Sequence, residues 1–334
     1  AVSILKGSAG YQRKEVRRLC EWLTRHSRPH LINFTNVLVA GCVPELRDAL
    51  QVPVTVTLQG DDIFLEQLPA SYRAEALEQI SRIAEHVDAF LVHSDYYRDF
   101  MADYLSLPTD KFHRVPLGVD TDGYHLRWES ESPHPNPHDP LSIGYLARLA
   151  PEKGLHLLVD AFIHLHANDE LPPVELLIAG WLGKQHEQYA AEQFAKLDDA
   201  GLGHAYRYEG EVDRSAKQRF LNQLEIFSVP TTYREPKGLY VLEALAAGAP
   251  VVVPDHGAFP ELLQATGGGE LVTPDDAAAL AGALQSLLLD PDRRRRLARA
   301  GQRTVHSQFN AQVMAQKTLN VFQQIAEVTR NSEL

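Results

Sequence analysis

The chain is predicted to be an α/β protein built from two doubly wound parallel-sheet domains, and three observations predict it. Short β-rich runs alternate with helical stretches along the whole sequence. A Pro- and His-rich polar tract interrupts the alternation once, after which it restarts. At 334 residues the chain is longer than one ordinary core organises, so two cores are expected.

In the first half the β-rich runs are HLINFT, VPVTVTLQ, AFLVHS and FHRVPL, with helical stretches such as 70–84 and 95–105 between them. Strand, helix, strand in this order is the βαβ unit of a parallel sheet. The tract at 129–140, ESESPHPNPHDP, has the composition of a linker. His134 and His138 lie within it, but no cysteine accompanies them to complete a metal site. In the second half LSIGYLARL reads as strand and turn, 154–166 as helix, VELLIAG as strand, 186–199 as helix and AYRYEG as strand. Helix 215–224, strand IFSVPT, helix 238–247, strand PVVVPD and helices 274–289 and 292–309 complete it. The expected division is a first domain over 1–127, a linker over 128–140, a second domain over 141–310, and a C-terminal helix over 311–334 packing back on the first domain. Two such domains direct the switch points of their sheets towards a shared cleft, where folds of this class bind ligands.

Composition excludes several classes. A net charge of −12 argues against wholesale nucleic-acid binding, which needs a basic surface. Two cysteines, Cys20 and Cys42, fit a reducing, cytoplasmic setting without a disulfide framework. The longest apolar runs, such as 250–254, fall far short of the ~20 residues of a membrane helix. Charge is uneven, however: residues 1–60 carry a local +4 and the remainder −16. The basic residues gather on a helix over 11–28, where Val16, Leu19, Cys20 and Leu23 keep helical spacing and Arg13, Lys14, Arg17, Arg18 and Arg25 fall mostly elsewhere. That face reads either as an ordinary solvated surface or as a peripheral contact with an anionic membrane, at its inner face, or with an anionic acceptor.

The densest information lies in 235–253, EPKGLYVLEALAAGAPVVV. A helix opening at Gly238 presents unpaired amides and the positive end of its dipole, which favour a phosphate oxygen. Glu235 stands just before that helix and Glu243 about a turn and a half inside it, so two acceptors for hydroxyl groups flank an anion site. Glu243 sits among Leu242, Ala244, Leu245, Ala246 and Ala247, a setting costly for a carboxylate without partners. A second anion-binding element is the strand-to-helix loop at 144–154, which carries Arg148 and Lys153 towards the carboxyl end of the sheet. By itself an ion pair between Arg148 and Glu152 explains that loop equally well.

These residues resemble the retaining glycosyltransferases of family 4. The resemblance covers most of the chain, most strongly 148–274. It is carried by Arg148 with Lys153-Gly154, by LLIAG ending at Gly180, by Tyr208-Glu209-Gly210, by Glu235-Pro-x-Gly-Leu239 with Glu243-Ala-x-Ala-x-Gly248-x-Pro250, and by Pro260-Glu261. The resemblance implies a GT-B fold of two facing Rossmann-like domains and a nucleoside diphosphate sugar as donor, with no further cofactor. Arg148 and Lys153 would hold the diphosphate, Glu235 the transferred sugar and Glu243 the ribose. Gly238, Leu239 and Tyr240 would meet sugar or phosphate, and Gly180 and Glu209 would lie along the nucleoside. Retention would follow from attack on the leaving-group face, with the phosphate taking the acceptor proton.

The first half departs from the family. Nothing in AVSILKGSAG reads as an opening strand and Gly-rich turn, so one or two leading βαβ units are expected to be missing from the first domain. Where the family often has a histidine before Gly and an acidic residue, this chain has Gln59-Gly60-Asp61, followed by Asp62. Gln59 hydrogen-bonds but shuttles no proton, and Asp61 and Asp62 read equally as helix caps or acceptor contacts. Lys237 replaces a bulky apolar residue and reads as solvent-facing or as a contact to an anionic donor sugar or acceptor. No metal site is expected, because no Asp-x-Asp follows a strand on the nucleotide side. The resulting reading is a retaining hexosyltransferase acting on a sugar, lipid or small acceptor. A non-catalytic nucleotide-sugar-binding relative with an incomplete acceptor domain stands as the alternative.

Overall fold

The computed structural model describes residues 2–27, 29–124, 140–167 and 171–332. Of the tract read as a linker, only Pro140 lies among them. The chain divides into two compact units, one of Ala1–Pro116 with Met314–Leu334 and one of Leu117–Val313.

The first unit runs α1 (Val2–Leu5), α2 (Arg13–His26), β1 (Ile32–Phe34), α3 (Val43–Leu50), β2 (Val54–Thr57), α4 (Asp61–Glu66), α5 (Ala70–Ala84), β3 (Ala89–Val92), α6 (Asp95–Tyr104) and β4 (Phe112–Arg114). Its strands form one parallel sheet in the order β1-β2-β3-β4. All four residues of β3 are buried, as expected of a parallel strand covered on both faces. Ser94 starts α6 by accepting a hydrogen bond from the Tyr97 amide, which supplies the cap the helix end requires. Among the described residues no strand precedes β1. The strand order never reverses, so this sheet has no switch point of its own.

The second unit holds β5 (Leu141–Leu146), α7 (Leu155–His166), β6 (Val174–Ala179), α8 (Glu187–Asp199), β7 (Tyr206–Tyr208), α9 (Arg214–Asn222), β8 (Ile226–Phe227), α10 (Leu239–Ala246), β9 (Val251–Pro254), α11 (Phe259–Thr266), β10 (Gly269–Val272), α12 (Ala277–Leu289) and α13 (Pro291–Gln308). The last helix, α14 (Ala311–Ser332), carries the chain from this unit into the first. The parallel sheet has the order β10-β9-β8-β5-β6-β7. Ile143 of β5 is in register with Leu176 of β6 on one side and Ile226 of β8 on the other. From β5 the chain winds outward through β6 and β7, then returns to place β8 on β5's opposite edge. The crevice of a doubly wound sheet therefore opens beyond the carboxyl ends of β5 and β8.

Apolar residues explain why these elements hold. Ile143, Tyr145, Leu176, Ile178, Phe162 and Val251–Val253 belong to one buried cluster, to which β5, β6, β8 and β9 contribute residues from both of their faces. One charged pair is buried with them. Arg294 on α13 reaches Glu225, just before β8, with 3.0 Å between Nε and Oε2, and its Nη1 donates to the Leu287 and Leu288 carbonyls. The guanidinium thereby caps the end of α12 while neutralising a carboxylate whose side chain is only 6 % exposed.

Removing one member of such a pair strands the other. Arg294→Ala should cost about 3 kcal/mol in urea unfolding of the second unit, whereas a loss below about 1 kcal/mol, the range of surface pairs, would show that Glu225 is not dependent on it.

Candidate functional site

Two loops flank the switch point. The one after β5 ends in the 3₁₀ turn Pro151–Lys153 and Gly154; the other leaves β8 and runs through Thr231 and Tyr233 to Glu235. Gly154 has φ +72°, and a Cβ there would lie 1.7 Å from the Pro230 carbonyl oxygen, so only glycine lets the two loops touch backbone to backbone. The contact brings Lys153 and Glu235 together. Lys153 Nζ donates to Glu235 Oε2 at 3.0 Å, and Glu235 is only 3 % exposed.

The pair is encased in tyrosine. Tyr233 donates to Glu235 Oε2 at 2.5 Å and Tyr240 at 3.0 Å, while Lys153 also donates to the Tyr233 hydroxyl. Lys153 Nζ stands 4.7 and 4.9 Å from the two ring centres, close enough for a cation–π contribution. Oε1 of Glu235 receives one long bond, 3.4 Å from the Gly238 amide. One oxygen is thus saturated and the other retains acceptor capacity, and the ammonium retains a third N–H. Behind them, the Ala258 amide donates to the Glu235 carbonyl at 2.8 Å, fastening the site to the loop after β9.

Tyr240 is the second residue of α10, wedged between Phe227 and Phe259, so its hydroxyl reaches back to Glu235. Gly238 caps this helix in the left-handed region with no side-chain acceptor, which leaves the first-turn amides open to an anion. Leu239 is 40 % exposed at that end, and Lys237 is partly buried beside it. Glu243, one turn further, is not alone in its apolar setting: Lys217 of α9 meets its Oε1 at 2.5 Å. Arg148 is half exposed and pairs with Glu152 at 3.1 Å, the ion pair that the sequence allowed.

Gly180, at the end of β6, has φ +138°, and a Cβ there would lie 1.8 Å from the Ala147 carbonyl oxygen. Its own carbonyl accepts from the Tyr208 hydroxyl at 2.9 Å, and its amide donates to Gly210. The carboxyl ends of β5, β6 and β7 are thereby laced together. Glu209, in the last of these loops, accepts from the Arg207 guanidinium at 3.0 Å.

In the first unit Asp61 takes a different part from helix capping. Gly60 occupies the cap of α4 and forms no side-chain cap bond, whereas the Asp61 carboxylate, 1 % exposed, accepts from the Val37 and Gln59 amides at 2.8 Å each. Burial raises this carboxyl despite those bonds. Gln59 donates its side-chain amide to the Thr35 carbonyl at 3.1 Å, and Tyr97 accepts from the Gly60 and Asp61 amides while donating to Asp62. The loops after β1 and β2 are thus tied to each other and to α6. A separate cavity of about 960 Å³ in this unit is lined by Lys6, Tyr11, Arg13, Lys14, Tyr72 and Glu75 among others.

Tyr233, Lys217 and the 45 % exposed Trp181 beside Gly180 escaped the sequence reading. Tyr233 alone had a signal: in extended chain, positions two apart share a side, so a tyrosine at 233 faces with Glu235. Lys217 and Glu243 meet only through the packing of α9 against α10. Among the described residues no group of three or more His, Cys, Asp or Glu is placed to hold a metal ion, and no helix is long and apolar enough to cross a membrane.

Burial alone would raise the Glu235 carboxyl, but the Lys153 ammonium and the Tyr233 and Tyr240 hydroxyls outweigh it and hold the group below its ordinary value. A carboxyl depressed in the folded state contributes stability that is full above its unfolded value and is lost as pH falls through the folded one. The stability advantage of wild type over Glu235→Gln should therefore narrow as pH is lowered through and below the ordinary glutamate range. A gap that stays constant across that window in urea denaturation would contradict the pairing.

Comparison with known proteins places the chain in a family. A model described as glycosyl transferases group 1 matches residues 127–304, and one described as Glycosyltransferase Family 4 matches 4–123. The chain is 27 % identical over 308 residues to the glycogen synthase of Mycobacterium tuberculosis, covering 89 % of this chain and 69 % of that protein. It is 31 % identical over 176 residues to the phosphatidyl-myo-inositol mannosyltransferase of Mycobacterium leprae, covering 53 % of this chain and 44 % of the relative. Anabaena HepE, solved in complex with UDP, shares the fold with a TM-score of 0.79 at 18 % identity, over 95 % of this chain and 84 % of that one. With two parallel-sheet α/β domains and family matches along both halves, the chain belongs to the glycosyl transferases group 1, the family 4 glycosyltransferases of GT-B fold.

Proposed function

We propose that this glycosyltransferase moves a hexose from a nucleoside diphosphate sugar to a sugar, lipid or small-molecule acceptor with retention at the anomeric carbon. The observation that carries the reading is the buried Lys153–Glu235 pair at the switch point, in which one N–H of the ammonium is unspent and one carboxylate oxygen accepts only a single long bond. Glu235 Oε1 is suited to a sugar hydroxyl. Lys153, the Gly238–Leu239 amides and Arg148 are suited to the diphosphate, Arg148 by exchanging Glu152 for phosphate. Gly180 and Glu209 border the nucleoside, and Glu243 takes the ribose. The names of the mycobacterial relatives support glucosyl or mannosyl transfer, and the UDP bound to HepE makes UDP sugars the first donors to try.

The chemistry follows from charge. As the glycosidic bond breaks, positive charge grows on the anomeric carbon and negative charge on the departing phosphate oxygen. Cations and amides already aimed at that oxygen lower the barrier without reorganising. The Glu235 carboxylate, kept ionised by its neighbours, orients the sugar, and the acceptor hydroxyl attacks from the leaving-group face while the phosphate accepts its proton. On the acceptor side we place Gln59, Gly60, Asp61 and Lys237, of which Gln59 and Lys237 depart from the family pattern. Asp61 has both oxygens committed to amides, so it serves there by shaping the loop.

Incubation with UDP, GDP and ADP sugars, followed for nucleoside diphosphate release, tests the activity. Tight binding without release from any donor would leave a nucleotide-sugar-binding protein instead. Glu235→Gln should lower turnover at least about tenfold with little change in nucleoside diphosphate affinity, and Arg148→Ala should weaken that affinity directly. Unchanged turnover in the first, or unchanged affinity in the second, would remove the role assigned. We further propose peripheral membrane contact through α2, on which Trp22 and Leu19 are 56 % and 41 % exposed beside Arg17, Arg18 and Arg25. Sedimentation with vesicles rich in anionic lipid should capture the wild type and not a Trp22→Ser, Arg18→Glu variant; equal capture of both would discount it.

A further inference from the structure

We infer that Lys217 is a positioning residue for the donor's ribose, acting through Glu243; the inference rests on the reading of Glu243 as the ribose contact. Lys217 Nζ lies 2.5 Å from Glu243 Oε1, and the two side chains are 28 % and 16 % exposed. Among the described residues neither side chain has another hydrogen-bond or ion-pair partner. Oε2 of Glu243 is therefore uncommitted, and Oε1 keeps one lone pair, which is the acceptor pattern a vicinal diol requires. Leu242 and Ala244 on either side are buried, so without the ammonium this carboxylate would face a largely apolar wall with nothing to hold its oxygens towards both hydroxyls.

The ammonium is delivered by a helix that is itself pinned. Asp213 caps α9 by accepting from the Ala216 amide at 2.7 Å. Arg214 pairs with Asp120 at 2.6 Å, and Gln218 donates to the Asp122 carbonyl at 2.6 Å, holding the helix to the 118–124 turn. Lys217 lies between these two anchors and reaches across to α10. The turn, α9 and α10 thus converge on one carboxylate, and the side chain that fixes it is a lysine that no local pattern marks.

Calorimetric titration of the full chain with UDP, GDP and ADP, each beside its 2′-deoxy and 3′-deoxy form, reads this role directly. Wild type should favour the ribonucleotide that it binds by at least about tenfold over the deoxy forms, because a missing hydroxyl leaves the carboxylate unpaired. Lys217→Met should lose most of that discrimination, weakening the ribonucleotide at least about fivefold and the deoxy forms little, with donor KM raised and kcat at saturation retained. Lys217→Arg, which keeps the cation, should restore it. Equal weakening of ribo and deoxy forms by Lys217→Met, or retained discrimination, would overturn the inference. Glu243→Gln separates the two levels: if it also keeps discrimination, the ribose reading of Glu243 falls, whereas if it alone abolishes discrimination only the role of Lys217 falls.

Discussion

The second unit is organised around an ammonium and a carboxylate taken out of water together. Desolvating two charges costs several kcal/mol per ion, and their attraction offsets that only when geometry and the remaining hydrogen bonds are nearly complete. The requirement explains the surroundings of Lys153 and Glu235. Two tyrosine hydroxyls reach one carboxylate oxygen, a glycine lets the two loops close to contact, and a backbone amide from the loop after β9 holds the glutamate from behind. Loosening any of these exposes the others, so the pair specifies the conformation of three loops at once.

Charge in the site is also matched before a ligand arrives. Arg148 faces Glu152, Lys153 faces Glu235, and Lys217 faces Glu243, each cation with one carboxylate. The three pairs differ in burial, and that difference sorts them by what each can do. The most buried, Lys153 with Glu235, is the most firmly held. The half-exposed Arg148 is bound weakly by its glutamate, as surface pairs are. Lys217 and Glu243 lie between these extremes.

Much of this was legible in the residues. Continuous apolar runs such as AFLV and VELLIA announce buried parallel strands, and the positions of β5, β6 and β9 follow from them. The short elements α3, α4 and α11, of 8, 6 and 8 residues, offer too few turns for periodicity to speak. Strand β10, with Gly269 and Glu270 in its four residues, has neither the length nor the composition of a buried strand, and is defined by its pairing with β9. Within the site, the roles that sequence could suggest were those coded by spacing along one element, as with Glu235 and Glu243. Those that it could not suggest, Lys217 beneath Glu243 and Asp61 between two loops, depend on which elements become neighbours only after folding. Asp61 read equally as a helix cap or an acceptor contact because its position at the start of α4 is the local signal, but a buried aspartate answers to the nearest unsatisfied amides, here that of Gln59 in its own loop and that of Val37 in the loop after β1.

The close approach of Gly154 to the Pro230 carbonyl has a consequence for how this protein can diversify. The seam between the two loops is made of main-chain atoms, which substitutions at neighbouring positions leave in place. The exposed side chain of Leu239 beside it can therefore change while the contact behind it keeps its shape. Under the proposed function, the positions that meet a substrate and the main-chain seam that supports them are separate, so one can vary while the other is kept.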